Sequence, residues 1–347
     1  MVLYIKQNEI IYSYKEGWLC ENGQPVLPLF TDKSKAILSK IRFCSRLLRL
    51  EPRCATMVND NLMLIAFRHQ VMIVSLSLKK IVGRLPSRSG FSHPLNFCSL
   101  KVYGEPVVYW GDYGDNNSQE AIHVHRIGED CKDEIVCTFQ AGMIKHVHNI
   151  LYDKWRNRFI ILTGDFGENV GIYIANKDFS LVEPYYIGSE KYRAVQALVT
   201  ANGLIWATDA VIADNYLYYL DFETNEIKRL SSLNGSVIYG MEVNGGLLFS
   251  TTVEPYPSSS SKIATLLDYR LGPGIKSRDV HLLFVDKDLQ VKEMGRYRKD
   301  LWLMRLFQYG QIMFPYYEDK HQNEVYVNPM AVKKFDGKEI IIKLKQV

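Results

Sequence analysis

Residues 157–178 read NRFIILTGDFGENVGIYIANKD, and residues 105–127 read EPVVYWGDYGDNNSQEAIHVHRI. Each opens with an apolar run rich in β-branched and aromatic residues, breaks at Gly, Asp and Asn, and resumes as a second alternating run. That pattern is two antiparallel strands joined by a loop. The hexapeptides GDYGDN (111–116) and GDFGEN (164–169) fall at the turn of each copy. The same form recurs in NGLIWATDAVIADNYLYYLDFE (202–223), where Thr208 and Asp209 stand in place of Gly164 and Asp165. NDNLMLIAFRHQVMIVSLSL (59–78), NGGLLFSTTVEPYPSSSSK (244–262) and GQIMFPYYEDKHQNEVYVNPM (310–330) are further copies.

Aligned at the end of the first strand, the copies are marked by Arg68, Asp112, Asp165, Asp209, Thr252 and Tyr316, at separations of 44, 53, 44, 43 and 64 residues. A further short strand usually precedes a unit and another often follows. Four short strands repeating at this period predict an all-β fold, a β-propeller of four-stranded antiparallel blades. Six units cover about 46–347, and MVLYIKQ, EIIYSYKEG and QPVLPLF near the N-terminus supply a seventh. Seven blades in one domain spanning 1–347 is the preferred count, with units at roughly 1–45, 46–90, 91–140, 141–189, 190–234, 235–298 and 299–347; six is the alternative. Two β-sandwiches meeting near 235 fit less well, because the repeat crosses that point without a linker. Helical periodicity is scarce; KSKAILSKIRFCSRLLRL (33–50) is the best candidate and shows no good cap.

Composition narrows the class. The 347 residues carry 42 basic and 38 acidic side chains without long blocks of either sign. That balance gives no footprint for nucleic acid or anionic lipid. No apolar run is long enough to span a bilayer, and the N-terminus lacks the form of a signal peptide, so a cytoplasmic protein without membrane contact is expected. The six cysteines have no CxxC spacing, and Cys98 and Cys137 read as buried small residues.

In a propeller, the end of the second strand and the start of the first converge at one mouth of the central channel. The glycines of the hexapeptides suit tight, positive-φ turns there. Asp112, Asp165 and Asp209 would face that mouth from successive blades, with turn capping as their plainer role. KHVHNI places His146 and His148 two apart on one side of a strand start. His93, Arg193, Tyr239 and Arg305 take equivalent places in other blades, and Trp110 adjoins Asp112. Imidazole and carboxylate serve acid–base chemistry, guanidinium grips an anion, and aromatic faces stack on sugar rings. Asp165, Asp209, His146, His148 and Tyr239 are therefore the candidate catalytic residues. Arg68, His93, Trp110, Asp112, Arg193, Arg305 and Tyr316 are the candidate binding residues. No cofactor is expected, a divalent metal at His146, His148 and Asp165 being the lesser reading beside a satisfied strand pair. His123 and His125, on a third strand, read as surface or inter-blade residues.

The stretch HVHNILYDKWRNRFIILTGD (146–165), followed by LIWATDA (204–210), resembles bacterial propellers of the sialidase-like or BNR kind. That resemblance implies glycan metabolism. Propeller polysaccharide lyases are similar in chemistry, using Tyr or His as base and Arg or a metal to neutralise a uronate. The expectation is a carbohydrate-active propeller, an enzyme handling an anionic or acetamido sugar by hydrolysis or elimination. The alternative is a non-catalytic propeller that binds a glycan, or a protein through the 254–279 loop.

Overall fold

The short alternating runs do form antiparallel sheets, and they are the blades of a β-propeller. The computed structural model describes residues 1–347 apart from 8–9, 103, 166, 245, 258–260, 320–322 and 345–347. Seven sheets follow one another along the chain, here numbered as blades 1 (2–28), 2 (54–86), 3 (98–139), 4 (146–187), 5 (194–233), 6 (237–298) and 7 (311–343). Blades 2 to 6 have four antiparallel strands each; blade 7 has three among the described residues.

The repeat owes its regularity to one device. At the end of the second strand a threonine hydroxyl accepts from an amide within the first three residues of the third: Thr163 from Gly171, Thr208 from Tyr216, and Thr251 from His281. In blade 3 the Asp112 carboxylate does this for the His123 amide, at 2.9 Å. A side chain that replaces a ladder bond at the loop lets turns of any length leave the same sheet.

The chain divides into two compact units, 1–51 with 196–198 and 202–347, and 52–195 with 199–201. In the first, the N-terminal strand Val2–Ile5 pairs in parallel with Tyr316–Tyr317, giving blade 1 a fifth strand. Asn328 fastens the same edge, its side-chain amide exchanging two bonds of 2.8 Å with the Val2 backbone. The segment 33–50 forms two short helices, Lys33–Leu38 and Arg42–Leu47, and the first is capped by Asp32. The missing cap was thus one residue upstream of the quoted stretch. Arg42 bonds Glu51 and Asp336, and buried Arg46 bonds Asp300, Asp336 and the Phe307 carbonyl.

The second unit holds blades 2, 3 and 4. Its core is continuous from blade 3 to blade 4, with Val107, Tyr109, Ile122 and Val124 packed near Ile150, Phe159, Ile161 and Tyr173. All six cysteines are free thiols; Cys20 and Cys54 are buried, and Cys98 and Cys137 are half-buried against this core. Among the described residues no helix is long and apolar enough to cross a membrane.

Candidate functional site

Blade 4 begins with His146–Asp153, and its first three residues carry the site. Asn96 donates to the His148 carbonyl and Asn149 donates to the Val195 carbonyl, so side chains on both flanks hold the strand start in place. The pairing with Arg158–Gly164 slips between Val147 and Asn149, which makes His148 the extra residue of a bulge. Bulges re-aim side chains beside functional sites. Here the result is that His146 Nε2 and His148 Nε2 stand 2.9 Å apart.

Each ring is held from behind by a backbone carbonyl. His146 Nδ1 lies 2.6 Å from the Gly114 oxygen, and His148 Nδ1 lies 2.9 Å from the Ala194 oxygen. A carbonyl only accepts, so both Nδ1 atoms donate. Asp165 closes the group, with Oδ1 at 3.4 Å from His146 Nε2 and 3.5 Å from His148 Nε2. Arg193 Nη2 reaches the same oxygen at 3.3 Å, and Glu190 compensates the guanidinium from its other side, also at 3.3 Å. Burial would raise the Asp165 pKa. A cation held by the two facing imidazoles, a shared proton in its simplest form, and the Arg193 charge outweigh it and hold the carboxyl ionised, well below the usual carboxylate range. Burial acts the other way on His146 and lowers its pKa. Both histidine side chains are almost wholly buried, whereas Asp165 remains 26% exposed.

The hexapeptide glycines explain why the group can assemble. A methyl on Gly164 would stand 2.2 Å from His148 Cε1 and 3.0 Å from His146 Nε2. One on Gly111 would stand 2.3 Å from Val147 Cβ. The first glycine of each copy therefore admits the strand His146–Asp153 from one side or the other. The expected role in positive-φ turns holds only for Gly167, at φ +118°. Gly114 is likewise a close-approach glycine, its missing methyl 2.8 Å from Phe91 Cα.

Gly114 belongs to a two-stranded ribbon that no sequence pattern announces, Tyr113–Gly114 paired with Phe91–Ser92. The ribbon walls a pocket of ≈ 450 Å³ whose lining is His69, Gly90, Phe91, Ser92, Tyr113, Gly114, Asp115, His146 and Asp165. The Tyr113 ring lies 4.7 Å from that of His146. Arg53 covers the Tyr113 ring at 5.0 Å, and its buried Nη1 meets no hydrogen-bond partner among the described residues. His69 is exposed to the pocket with Nδ1 3.1 Å from the Phe91 carbonyl. That bond leaves its Nε2 as the basic nitrogen of the neutral ring.

Of the twelve residues picked from sequence, His146 and Asp165 line this pocket, and His148 and Arg193 complete the group on its floor. His93 sits just behind the wall, its Nδ1 3.3 Å from the Ser92 hydroxyl and from the His69 amide. Burial, then the charges of Arg53 and His69, push its pKa well down. Arg68 lies in the turn between the second and third strands of blade 2, outside the pocket lining. Trp110 and Asp112 are buried in blade 3. There Asp112 bonds Arg88 at 2.6 Å and His125 at 3.3 Å, and Trp110 stacks on His125 at 5.3 Å and 4°. His125 is thus a largely buried residue inside its blade, not a surface or inter-blade one. Asp209, Tyr239, Arg305 and Tyr316 belong to the other unit. Asp209 is buried at the end of its strand, Tyr239 lies on Val237–Val243, Arg305 donates to the Tyr256 and Pro257 carbonyls, and Tyr316 pairs with Tyr4.

Sequence reasoning missed His69, Ser92, Tyr113 and Asp115. His69 directly follows a marker residue of the repeat, and that adjacency was the available signal. The others lie on or beside the ribbon, which has no periodicity to betray it.

No family model matches the chain, and no curated protein matches it in sequence. Its fold is similar to that of a chain in a mitotic checkpoint complex, at a TM-score of 0.55 and 8% identity over 99% of this chain and 87% of that one. Weaker likenesses extend to tricorn protease (TM-score 0.45, 9% identity, 99% of this chain and 35% of that) and to the dihydro-heme d1 dehydrogenase NirN (0.42, 13%, 84% and 55%). At such identities the likeness is one of propeller fold.

Proposed function

We propose that the pocket beside blade 4 is an acid–base active site for a small anionic ligand, with an acidic sugar as the class that suits its lining. The observation that carries this reading is the division of labour around one cavity. An exposed imidazole with a basic Nε2, His69, looks onto a floor where Asp165 is held ionised. The half-buried Tyr113 ring lines the wall, and the unpartnered Nη1 of Arg53, whose guanidinium lies over that ring, favours negative charge.

Elimination fits these residues better than hydrolysis. An ionised Asp165 has no proton to give a leaving group, and hydrolysis by paired carboxylates needs one that does. In the elimination, His69 Nε2 takes the proton beside the sugar carboxylate. That electron pair forms the carbon–carbon double bond while the neighbouring C–O bond breaks, and the departing oxygen takes the Tyr113 phenol proton. A thermal-shift screen of uronates, sialic acids, neutral sugars and nucleotide sugars tests the reading. An acidic sugar at 100 times its Kd should stabilise the chain by about 2.7 kcal/mol. The shift should persist in His69→Ala while turnover is lost; no shift with any acidic sugar sinks the proposal.

A second reading has its own observation. The 254–279 segment exposes Ile263, Leu266, Leu267 and Tyr269, with Ile263 at 72%. Such a surface suits a protein partner. Replacing Ile263 and Leu267 by Asp should leave melting unchanged and abolish co-purification of any specific partner.

A further inference from the structure

We infer that the floor of the pocket is a metal centre in which His146 Nε2, His148 Nε2 and Asp165 Oδ1 hold one divalent first-row transition ion, with zinc the first to test. The ion's bearing on the reaction rests on the reading above; its binding rests on the ligand geometry alone.

Three observations converge. The first is the direction of the lone pairs. Because Gly114 and Ala194 carbonyls fix both Nδ1 atoms as donors, the neutral rings turn two bare Nε2 atoms toward each other and toward a carboxylate oxygen. Three acceptors so placed repel unless a cation sits among them. The second is the spacing. Ligands at about 2.0–2.1 Å from a tetrahedral zinc stand about 3.3 Å from one another. The observed separations are 2.9, 3.4 and 3.5 Å. The third is the support behind each ligand. Metal-bound histidines usually donate their other nitrogen to a carbonyl or carboxylate, and ligating carboxylates are themselves held. Here two carbonyls hold the rings and Arg193 holds Asp165.

The donor set narrows the ion. Two imidazoles and one carboxylate suit zinc, manganese, cobalt, nickel or ferrous iron, whereas calcium and magnesium prefer all-oxygen sites. Three protein ligands with His146 and Asp165 facing the cavity leave coordination positions open to it. That is the form of a catalytic site rather than a closed structural one. An ion there would receive the carboxylate of an acidic sugar and leave His69, across the pocket, to act as base. The rival cation is a proton shared between the two rings.

The test needs no sugar. The full chain is stripped with EDTA and dialysed separately against zinc, manganese and cobalt, and bound ion is measured by mass spectrometry and titration calorimetry. The expected result is one ion per chain, with visible cobalt absorption of a nitrogen–oxygen ligand set. Asp165→Asn should weaken binding by at least about tenfold, the scale set by loss of outer-shell partners alone. Asn keeps the size of Asp165 and Glu190 still pairs with Arg193, so the metal-free variant should remain folded, and His146→Gln provides a second loss. Folded wild-type chain that retains no ion overturns the inference, as does equal retention by Asp165→Asn. Failure of the sugar screen with the ion bound overturns only the proposed activity; failure of ion binding with a sugar shift intact overturns only the metal centre.

Discussion

Two turns of this molecule are spelled almost alike and have become different things. In blade 3, GDYGDN sets Asp112 among Arg88, His125 and the His123 amide, a closed group in which the carboxylate is satisfied by the protein itself. In blade 4, GDFGEN sets Asp165 beside two imidazoles whose lone pairs face it, on the floor of a cavity. The carboxylates match in spelling, but Asp112 takes the amide-capping place that Thr163 holds in blade 4. The neighbours decide the outcome. Asp112 meets a partner from its own blade's third strand, His125, which Trp110 and Asp133 also hold. The blade 4 turn meets the start of its own first strand, where a bulge has gathered two histidines. A repeated motif therefore marks where chemistry can be placed, and the strand beside it settles whether chemistry is there.

The contrast can be broken in four ways. With whichever ligand the pocket takes, Asp165→Ala should lower turnover by about 10²–10³-fold, the cost of removing one preorganised electrostatic partner, in chains that remain folded because Glu190 still holds Arg193. Asp112→Ala should do the reverse. It strands Arg88, His125 and a backbone amide, so it should cost about 3 kcal/mol in denaturant unfolding while the folded fraction keeps its activity. If Asp112→Ala abolished turnover without loss of stability, the division between the two turns would be wrong.

The third test is pH. Burial opposes charge on His125, but hydrogen bonds and charge from Asp112 and Asp133 raise its pKa to about 9. A raised folded-state pKa means the stabilisation is complete below the ordinary value near 6.5 and is lost as pH climbs through 9. Stability should fall by about 3 kcal/mol over that window, and His125→Gln should flatten the fall. The smallest effect concerns the glycines. Gly111→Ala and Gly164→Ala should each cost about 1–3 kcal/mol through overpacking. Only Gly164→Ala, whose new methyl enters the histidine pair, should also remove ligand and ion binding.

Much of this was legible in the residues. The alternation of Val, Ile, Tyr and Phe between Gly and Asn turns repeats in register, and seven sheets stand where that repeat places them. His146 and His148 were visible because residues two apart on a strand share a face, and Asp165 because its turn is spelled twice. The bulge that re-aims His148 was not visible, since no residue type marks it. Nor was the ribbon of Phe91–Ser92 and Tyr113–Gly114, two residues to a side and about twenty apart in sequence. The glycines misled for a physical reason: close approach and positive φ both demand a missing Cβ, and sequence does not distinguish them. His125 reads as a surface or inter-blade residue because a third strand lies away from the channel, yet it is covered by Trp110 and tied down by two carboxylates.

The clasp between Val2 and Asn328 has a consequence for how the chain is made. The two residues are 326 positions apart, so the strand Val2–Ile5 leaves the ribosome long before the residues that complete its pairing. Contacts of such span form only after a large loop-closure entropy has been overcome. Throughout synthesis, one edge of the N-terminal sheet stays open to whatever else it can pair with, and folding of this unit is gated by arrival of the chain near residue 316. Ageing of stalled nascent chains should then show blade 1 as the region most prone to mispairing, and emergence of residues 316–328 as the event that closes it.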